Sequence, residues 1–376
     1  KKAHDQLDDF VQRIEQMYHK NSFHSFAHAS HVTQSVVKLL SRVVSLDSVA
    51  VEGRRISGGS SSVRPAAMNA NAASTSWHNY TYGITSDPLT QFAVVLSALI
   101  HDVDHPGVPN ATLVQEQTDY ARLYKNKSVA EQTSLDLAWN LLMEPCYEDL
   151  RSCIYSTQSE LDRFRQLLVN SVMATDIVDK ELGALRKKRW NEAFAPTFES
   201  FRNDCHSENS SKTTSTMASS NLSSHHSDTT STHSASAAGA DPSSTEHMNR
   251  MATIVIEHLI QASDVAHTMQ HWHVYLKWNE KFFAESYEAF LNGRSDTDPS
   301  IGWYEGEMGF FDYYIIPLAK KLKDCEVFGV GADEYLNYAK ANRAEWETKG
   351  RDIVTGYLNR AKRKITAAAA ADPGVV

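Results

Sequence analysis

The chain has 376 residues, 41% of them hydrophobic, and a formal net charge of -9. That length supports one large domain or two small ones around a substantial core, and the negative charge argues against nucleic acid, whose binders carry a basic stripe. No apolar run approaches the roughly 18 residues of a membrane span, and the first residues hold no apolar signal-peptide core. Cys146, Cys153, Cys205 and Cys325 form no close-spaced pair of the zinc-finger kind. They are read as reduced thiols in a cytoplasmic setting, and the missing initiator methionine as the mark of a domain excised from a longer protein.

Leu7, Phe10, Val11, Ile14, Met17 and Tyr18 keep helical spacing and predict a first amphipathic helix. The next is expected from His24 to Val44, with Val32, Val36, Val37, Leu39, Leu40 and Val43 as its apolar face. In that register His24 and His28 lie one turn apart on one face. From Gly53 to Ser76 the composition turns to Gly, Ser, Ala and Asn, so a disordered loop insertion is expected over about 53–76. Asp87-Pro88 then opens a central apolar helix, with an acceptor at the cap and proline at the first helical position. It runs into Leu99-Ile100-His101-Asp102-Val103-Asp104-His105-Pro106-Gly107, where imidazoles and carboxylates gather at a helix end before a Pro-Gly turn.

Helical patterns follow at Ala111–Gln117, Ser128–Leu142, Tyr147–Tyr155, Glu160–Thr175 and Asp179–Phe194. Asn203 to His247 has almost no large apolar residue and is expected to be disordered. Its histidines, His206, His225, His226, His233 and His247, read as scattered polar residues rather than a metal tract. Helices resume at Met248 and continue through Trp272–Leu291, Trp303–Leu322 and Ala332–Ile365, before a tail at 369–376 expected to fray. Strand-like alternation is scarce, so the chain is predicted to be all-α, with a single domain over 1–368.

Adjacent His101 and Asp102 supply two ligands, whereas a divalent ion takes four to six. Candidate partners lie upstream in Phe23-His24-Ser25-Phe26-Ala27-His28-Ala29-Ser30-His31-Val32 and downstream in Ala262-Ser263-Asp264-Val265-Ala266-His267, where a carboxylate closes another apolar run. Together these stretches resemble the signatures of the class I 3',5'-cyclic nucleotide phosphodiesterases, a branch of the HD metal-hydrolase superfamily. The likeness runs from about Tyr18 to about Leu358. It implies a compact multi-helix HD-type catalytic domain that hydrolyses cyclic AMP, cyclic GMP or both to the 5'-monophosphate.

As a set, His28, His101, Asp102 and Asp264 suit zinc or another borderline transition ion and leave positions open for water. His105 and the neighbouring acids suit a second, harder ion, magnesium or manganese. Two ions sharing Asp102 would bind a bridging hydroxide and clamp the phosphoryl oxygens. His24 is the expected general acid, since the corresponding histidine of the family is thought to protonate the ribose 3'-oxygen. Alone, any of these histidines reads as a hydrogen-bonded core or surface residue; the spaced fragments together reverse that reading. By resemblance, Tyr124-Lys125-Asn126-Lys127-Ser128-Val129-Ala130-Glu131 points to Glu131 as a holder of metal-bound water, and Ala174-Thr175-Asp176 points to Thr175 and Asp176.

The base pocket departs from the family pattern. Glu307 stands where the family has a purine-fixing glutamine, in Glu305-Gly306-Glu307-Met308-Gly309-Phe310-Phe311-Asp312-Tyr313. An ionised Glu307 only accepts hydrogen bonds, whereas glutamine also donates, and burial beside Phe310 could raise its pKa and restore a donor. Phe282 and Phe310 could sandwich the base, with plain helix-core packing an equal reading of Phe282; by resemblance Trp278 falls on the family's tryptophan, and His267 replaces an asparagine. Ser25 and His31 also replace a usual asparagine and aspartate.

These departures and the long polar insertions suggest a protist or algal member, where such domains are often joined to a cyclase or a membrane receptor. The expected partners are a cyclic purine nucleotide, a fused cyclase or receptor domain and a second copy of the chain as a homodimer; the expected location is cytoplasmic or the cytosolic side of a membrane-anchored protein. Two other readings compete. An HD phosphohydrolase of other specificity has no need of the Gly309-Phe310 segment, and a non-catalytic cyclic-nucleotide sensor has no need of a general acid such as His24.

Overall fold

A computed structural model of the chain describes residues 2–43, 81–207, 242–325, 327–328 and 333–371. Among these residues every regular element is helical and no strand occurs, in line with the all-α expectation. The insertion expected at 53–76 lies outside the described residues.

Helix α1 (Lys2–Gln16) buries Phe10 and Ile14, one turn apart. Helix α2 spans Phe26–Arg42, two residues later than the predicted start, because Ser25 takes an extended conformation at the cap. His24 therefore precedes the helix, and its nearness to His28 is not a matter of shared helical face. Helix α3 (Pro88–Ile100) begins as the sequence indicates. Asp87 accepts from Thr90 N at 3.2 Å and Pro88 fills the first turn. Arg163 pairs with Asp87 as well, and these partners outweigh burial to hold its carboxyl below the usual range.

The middle of the chain forms α4 (Asn110–Gln115), α5 (Asp119–Leu123), α6 (Val129–Leu142), α7 (Glu148–Ile154) and α8 (Gln158–Met173). A capping box, Thr157 with Glu160, starts α8. Two long helices follow, α9 (Lys180–Ser207) and α10 (Pro242–Asp264). Their ends correct the expectation for 203–247, since 203–207 and 242–247 are helical; Pro242 suits a first turn, and 208–241 lie outside the described residues. Then come α11 (Trp272–Leu291), α12 (Pro299–Phe310), a wide π turn at Phe311–Ile315, α13 (Ile316–Asp324) and α14 (Asp333–Ala371). The π turn interrupts the single pattern predicted for Trp303–Leu322. Pro317 has no N–H to donate to Tyr313 O, and the turn before it widens. The expected tail at 369–376 is helical through Ala371.

Two apolar clusters meet on α3. Ala93, Leu96 and Ile100 join Phe10, Ile14, Leu141 and Phe164 from α1, α6 and α8. Val94 and Ala98 join Val32, Val36, Leu259, Phe283, Ile315 and Trp346 from α2, α10, α11, the π turn and α14. Buried on both faces, α3 delivers its C-terminal residues to the seam between the two clusters. Close packing is demanded at Gly350, where a Cβ would stand 2.7 Å from Tyr304 and 2.8 Å from Trp346.

Candidate active site

Past Ile100 the chain turns sharply. Asp104 and Gly107 take positive φ, and Asp104 N bonds Met17 O at 3.0 Å, which ties the turn to the end of α1. A side chain at Gly107 would press on Asn21 at 3.3 Å. Asn21 in turn donates to His24 O and His105 O, so the loop before α2 and the turn after α3 hold each other in place.

His101 and Asp102 open this turn, His28 comes from the first turn of α2 and Asp264 ends α10. His28 Nε2 lies 3.0 Å from Asp264 Oδ1 and 3.8 Å from Asp102 Oδ2. His101 Nε2 lies 3.1 Å from Asp102 Oδ2 and 3.4 Å from Asp264 Oδ1. Four atoms bound to one ion at about 2.0–2.2 Å would be about 3 to 3.6 Å apart; three of these separations lie in that range and the fourth, 3.8 Å, lies just outside it, so the atoms are close to the spacing of a common centre. The donor chemistry fits too. His101 Nδ1 is 3.0 Å from Ala98 O and donates there, which turns Nε2 to the cluster. His101 Nε2 and Asp102 Oδ2 are buried without a hydrogen-bond partner, a costly state unless a cation is held there. Burial opposes charge on both groups, yet each is charged by the other. His101 is held well above the ordinary imidazole value, and Asp102 well below the ordinary carboxylate value. Asp264 is lowered likewise, by His101 and His28 against burial.

Beside the cluster, His24 Nδ1 meets Glu285 Oε1 at 2.5 Å, and Glu285 Oε2 accepts from the backbone N–H of Phe23 and of His24. Burial favours a neutral His24, but Glu285 and then Asp102 raise its pKa above the ordinary value. The His105 ring stacks on His24 with centroids 3.8 Å apart, and burial and then the His24 charge lower it to about 3. His24 is thus clamped at Nδ1 by one carboxylate, with its ring centroid 6.3 Å from that of His28. Sequence reasoning missed Glu285, which is one of several acids on α11 and is distinguished only by its burial.

Glu131 is a further half-buried acid that senses the Asp102 charge. It accepts from Asn110, and burial and then Asp176 push it up to about 7, with Asp102 acting in the same direction. Asp176 accepts from Ser128 Oγ at 2.6 Å. Thr175 turns its hydroxyl back onto Val172 O. A second residue absent from the sequence reading is Tyr314, in the π turn. Its hydroxyl is buried without a hydrogen-bond partner, and burial and then Asp264 raise its pKa.

The apolar wall starts at Phe23, whose ring meets His28 at 4.5 Å and Phe282 at 5.0 Å. Phe282 is 38% exposed and packs on Trp303 at 5.3 Å. Trp303 Nε1 donates to Asn279 Oδ1, and Asn279 and Tyr275 both bond the buried Glu307 carboxyl. Phe310 stacks on Tyr314 at 5.3 Å, and among the described residues no direct ring contact joins it to Phe282. His267 is buried behind Phe23 and Trp278, and burial and then His28 lower it to about 3. The arrangement therefore has an ionic pole around His101 and an aromatic, hydrogen-bonded pole around Glu307, joined through Phe23 and Phe282.

The sequence model of a family described as 3'5'-cyclic nucleotide phosphodiesterase matches residues 23–326. Among curated proteins, a dual specificity calcium/calmodulin-dependent 3',5'-cyclic nucleotide phosphodiesterase 1C of Mus musculus is 30% identical over 175 residues, 46% of this chain and 19% of that protein. A cGMP-inhibited 3',5'-cyclic phosphodiesterase 3A of Homo sapiens is 36% identical over 108 residues, 26% of this chain and 9% of that protein. The chain spans no more than about a fifth of the length of these relatives. Among solved structures, the phosphodiesterase domain of Salpingoeca rosetta rhodopsin phosphodiesterase shares the fold, with a TM-score of 0.60 and 18% identity over 95% of this chain and 83% of that one. Among the described residues no helix is long and apolar enough to cross a membrane.

Proposed function

Because the chain belongs to the 3',5'-cyclic nucleotide phosphodiesterase family, we propose that it hydrolyses cyclic purine nucleotides to 5'-monophosphates, with residues 1–368 acting as one catalytic unit. The observation that carries this reading is the ionic pole. Four ligand-type atoms from three remote segments converge there, with buried His101 Nε2 and Asp102 Oδ2 left without hydrogen-bond partners.

His28, His101, Asp102 and Asp264 would hold a zinc ion, and Asp102 would share a magnesium or manganese ion whose surrounding water His105, Glu131 and Thr175 help to hold. Such ions, when bound, supply an activated water and neutralise charge on the phosphoryl group. The chain's own residues do the rest. His24, kept protonated by Glu285, gives its proton to the ribose 3'-oxygen as the P–O3' bond breaks. Glu285 fixes the ring by accepting at Nδ1, which leaves Nε2 to act as the donor. Phe282 and Phe310 flank the base, His267 backs the wall behind Phe23, and Glu307 reads the edge of the purine. Domains joined to this one in the full protein, a cyclase or receptor among them, would bring it to a membrane; a second copy would pair with it as a homodimer.

The test is incubation of the purified chain with cyclic AMP and cyclic GMP in magnesium or manganese, with the products identified. Nucleoside 5'-monophosphate supports the reading and a 3'-monophosphate contradicts it. Tight binding of a cyclic nucleotide without turnover replaces it with the sensor reading.

A further inference from the structure

At the second pole the buried carboxyl of Glu307 is held by two donors. Tyr275 OH donates to Glu307 Oε2 at 2.7 Å. Asn279 also bonds the carboxyl, and because Asn279 Oδ1 already accepts from Trp303 Nε1 at 3.1 Å, the end it offers is its NH2. Trp303 packs in turn on Phe282 and Phe283. The orientation of the carboxyl is thus fixed by a chain of three hydrogen bonds running back to the aromatic wall. A group held by two donors is held as an acceptor.

Resting on the cyclic-nucleotide reading above, we propose that Glu307 reads the purine as a carboxylate and selects guanine, so that the favoured substrate is cyclic GMP. The guanine edge offers N1–H and the 2-amino group side by side, two parallel donors that match the two oxygens of a carboxylate. Adenine offers one donor, its 6-amino group, next to the N1 lone pair, which faces a carboxylate oxygen with no proton between them. A protonated Glu307 has one donor and one acceptor and can serve either base. Discrimination therefore rests on the ionised form and grows as the carboxyl loses its proton.

The surroundings place that change in an accessible range. From α11 the groups that bond the carboxyl are Tyr275 and Asn279, and on α14 the Tyr357 pKa is raised by burial and further by the charge of that carboxyl. No charged side chain among the described residues acts on it. Burial disfavours the anion, Tyr275 and Asn279 favour it, and the balance lies at about 7. Both forms are then populated near neutrality.

The experiment compares kcat/KM for cyclic GMP and cyclic AMP from pH 6 to 8.5 in the wild-type chain and in Glu307→Gln. Titration of the catalytic groups affects both substrates alike and cancels in the ratio. In the wild type the cyclic GMP to cyclic AMP ratio is expected to rise about tenfold or more across this range, while in Glu307→Gln it stays flat. Cyclic IMP, which keeps N1–H but lacks the 2-amino group, is expected to fall about tenfold below cyclic GMP at pH 8.5 in the wild type, and to match it in the variant. A wild-type ratio that does not change with pH, with both nucleotides hydrolysed, overturns the proposal and leaves the phosphodiesterase reading intact. Absence of hydrolysis of either nucleotide at every pH overturns both.

Discussion

The two poles of the site treat buried polar atoms in opposite ways. Around His101 the protein gathers opposite charges, with His101 Nε2 and Asp102 Oδ2 enclosed 3.1 Å apart and neither making a hydrogen bond. Around Glu307 each of Tyr275, Asn279 and Trp303 is already engaged. Unpaired buried polar atoms cost stability and persist where a ligand completes them. Preformed networks instead fix the geometry of a group that must discriminate. The first pole is thus suited to making the reaction possible, and the second to choosing what reacts.

Substitutions should separate the two in that order. The largest effect is expected for Asp264→Ala, which removes a carboxylate oxygen 3.0 Å from His28 Nε2; turnover of both nucleotides should vanish while the far-ultraviolet circular dichroism stays helical. His24→Ala should lower kcat about 100- to 10,000-fold with KM within a few fold, read from steady-state rates on each nucleotide. Equal losses in kcat and affinity would instead make His24 a binding residue.

Glu285→Gln should cost about 10- to 100-fold in kcat, the scale of residues that orient a catalytic neighbour. The carboxylate raises the His24 pKa, and the general acid must be protonated. Its removal should therefore move the alkaline limb of the kcat profile to lower pH, a shift that loss of packing alone would not produce. The smallest effect belongs to the second pole. Tyr275→Phe keeps the ring and deletes a hydrogen bond that lowers the Glu307 pKa. The rise of the cyclic GMP to cyclic AMP ratio should shift to higher pH with kcat little changed.

The two poles also differ in how far they could be read from the sequence. His101, Asp102 and Asp264 interrupt or end apolar runs, where an ionisable side chain has no packing role, and their convergence follows from burying those runs together. His28 sits in a spaced histidine pair, although the pair's helical register failed at Ser25, whose extended backbone starts α2 only at Phe26. Glu285 and Tyr314 were not legible in this way. Glu280, Glu285 and Glu288 look alike along α11, and tertiary packing alone decides that Glu285 is buried against His24. Tyr314 owes its position beside Asp264 to the π turn before Pro317, a local rewinding that apolar periodicity does not signal. Glu307 was legible as a departure from a family pattern, but its donors Tyr275 and Asn279 read as ordinary positions of an amphipathic helix.

Four side chains from α2, the end of α3 and α10 should hold a divalent ion on which hydrolysis depends. The most direct measurement is to strip the protein with a chelator, then titrate zinc, magnesium and manganese back while following bound metal and cyclic nucleotide hydrolysis together. Activity should be lost on stripping and return as metal binds, with Asp264→Ala failing to retain the tightly bound ion. Full hydrolysis by the stripped protein, or metal retention unchanged in Asp264→Ala, would show that these side chains do not hold a metal needed for hydrolysis.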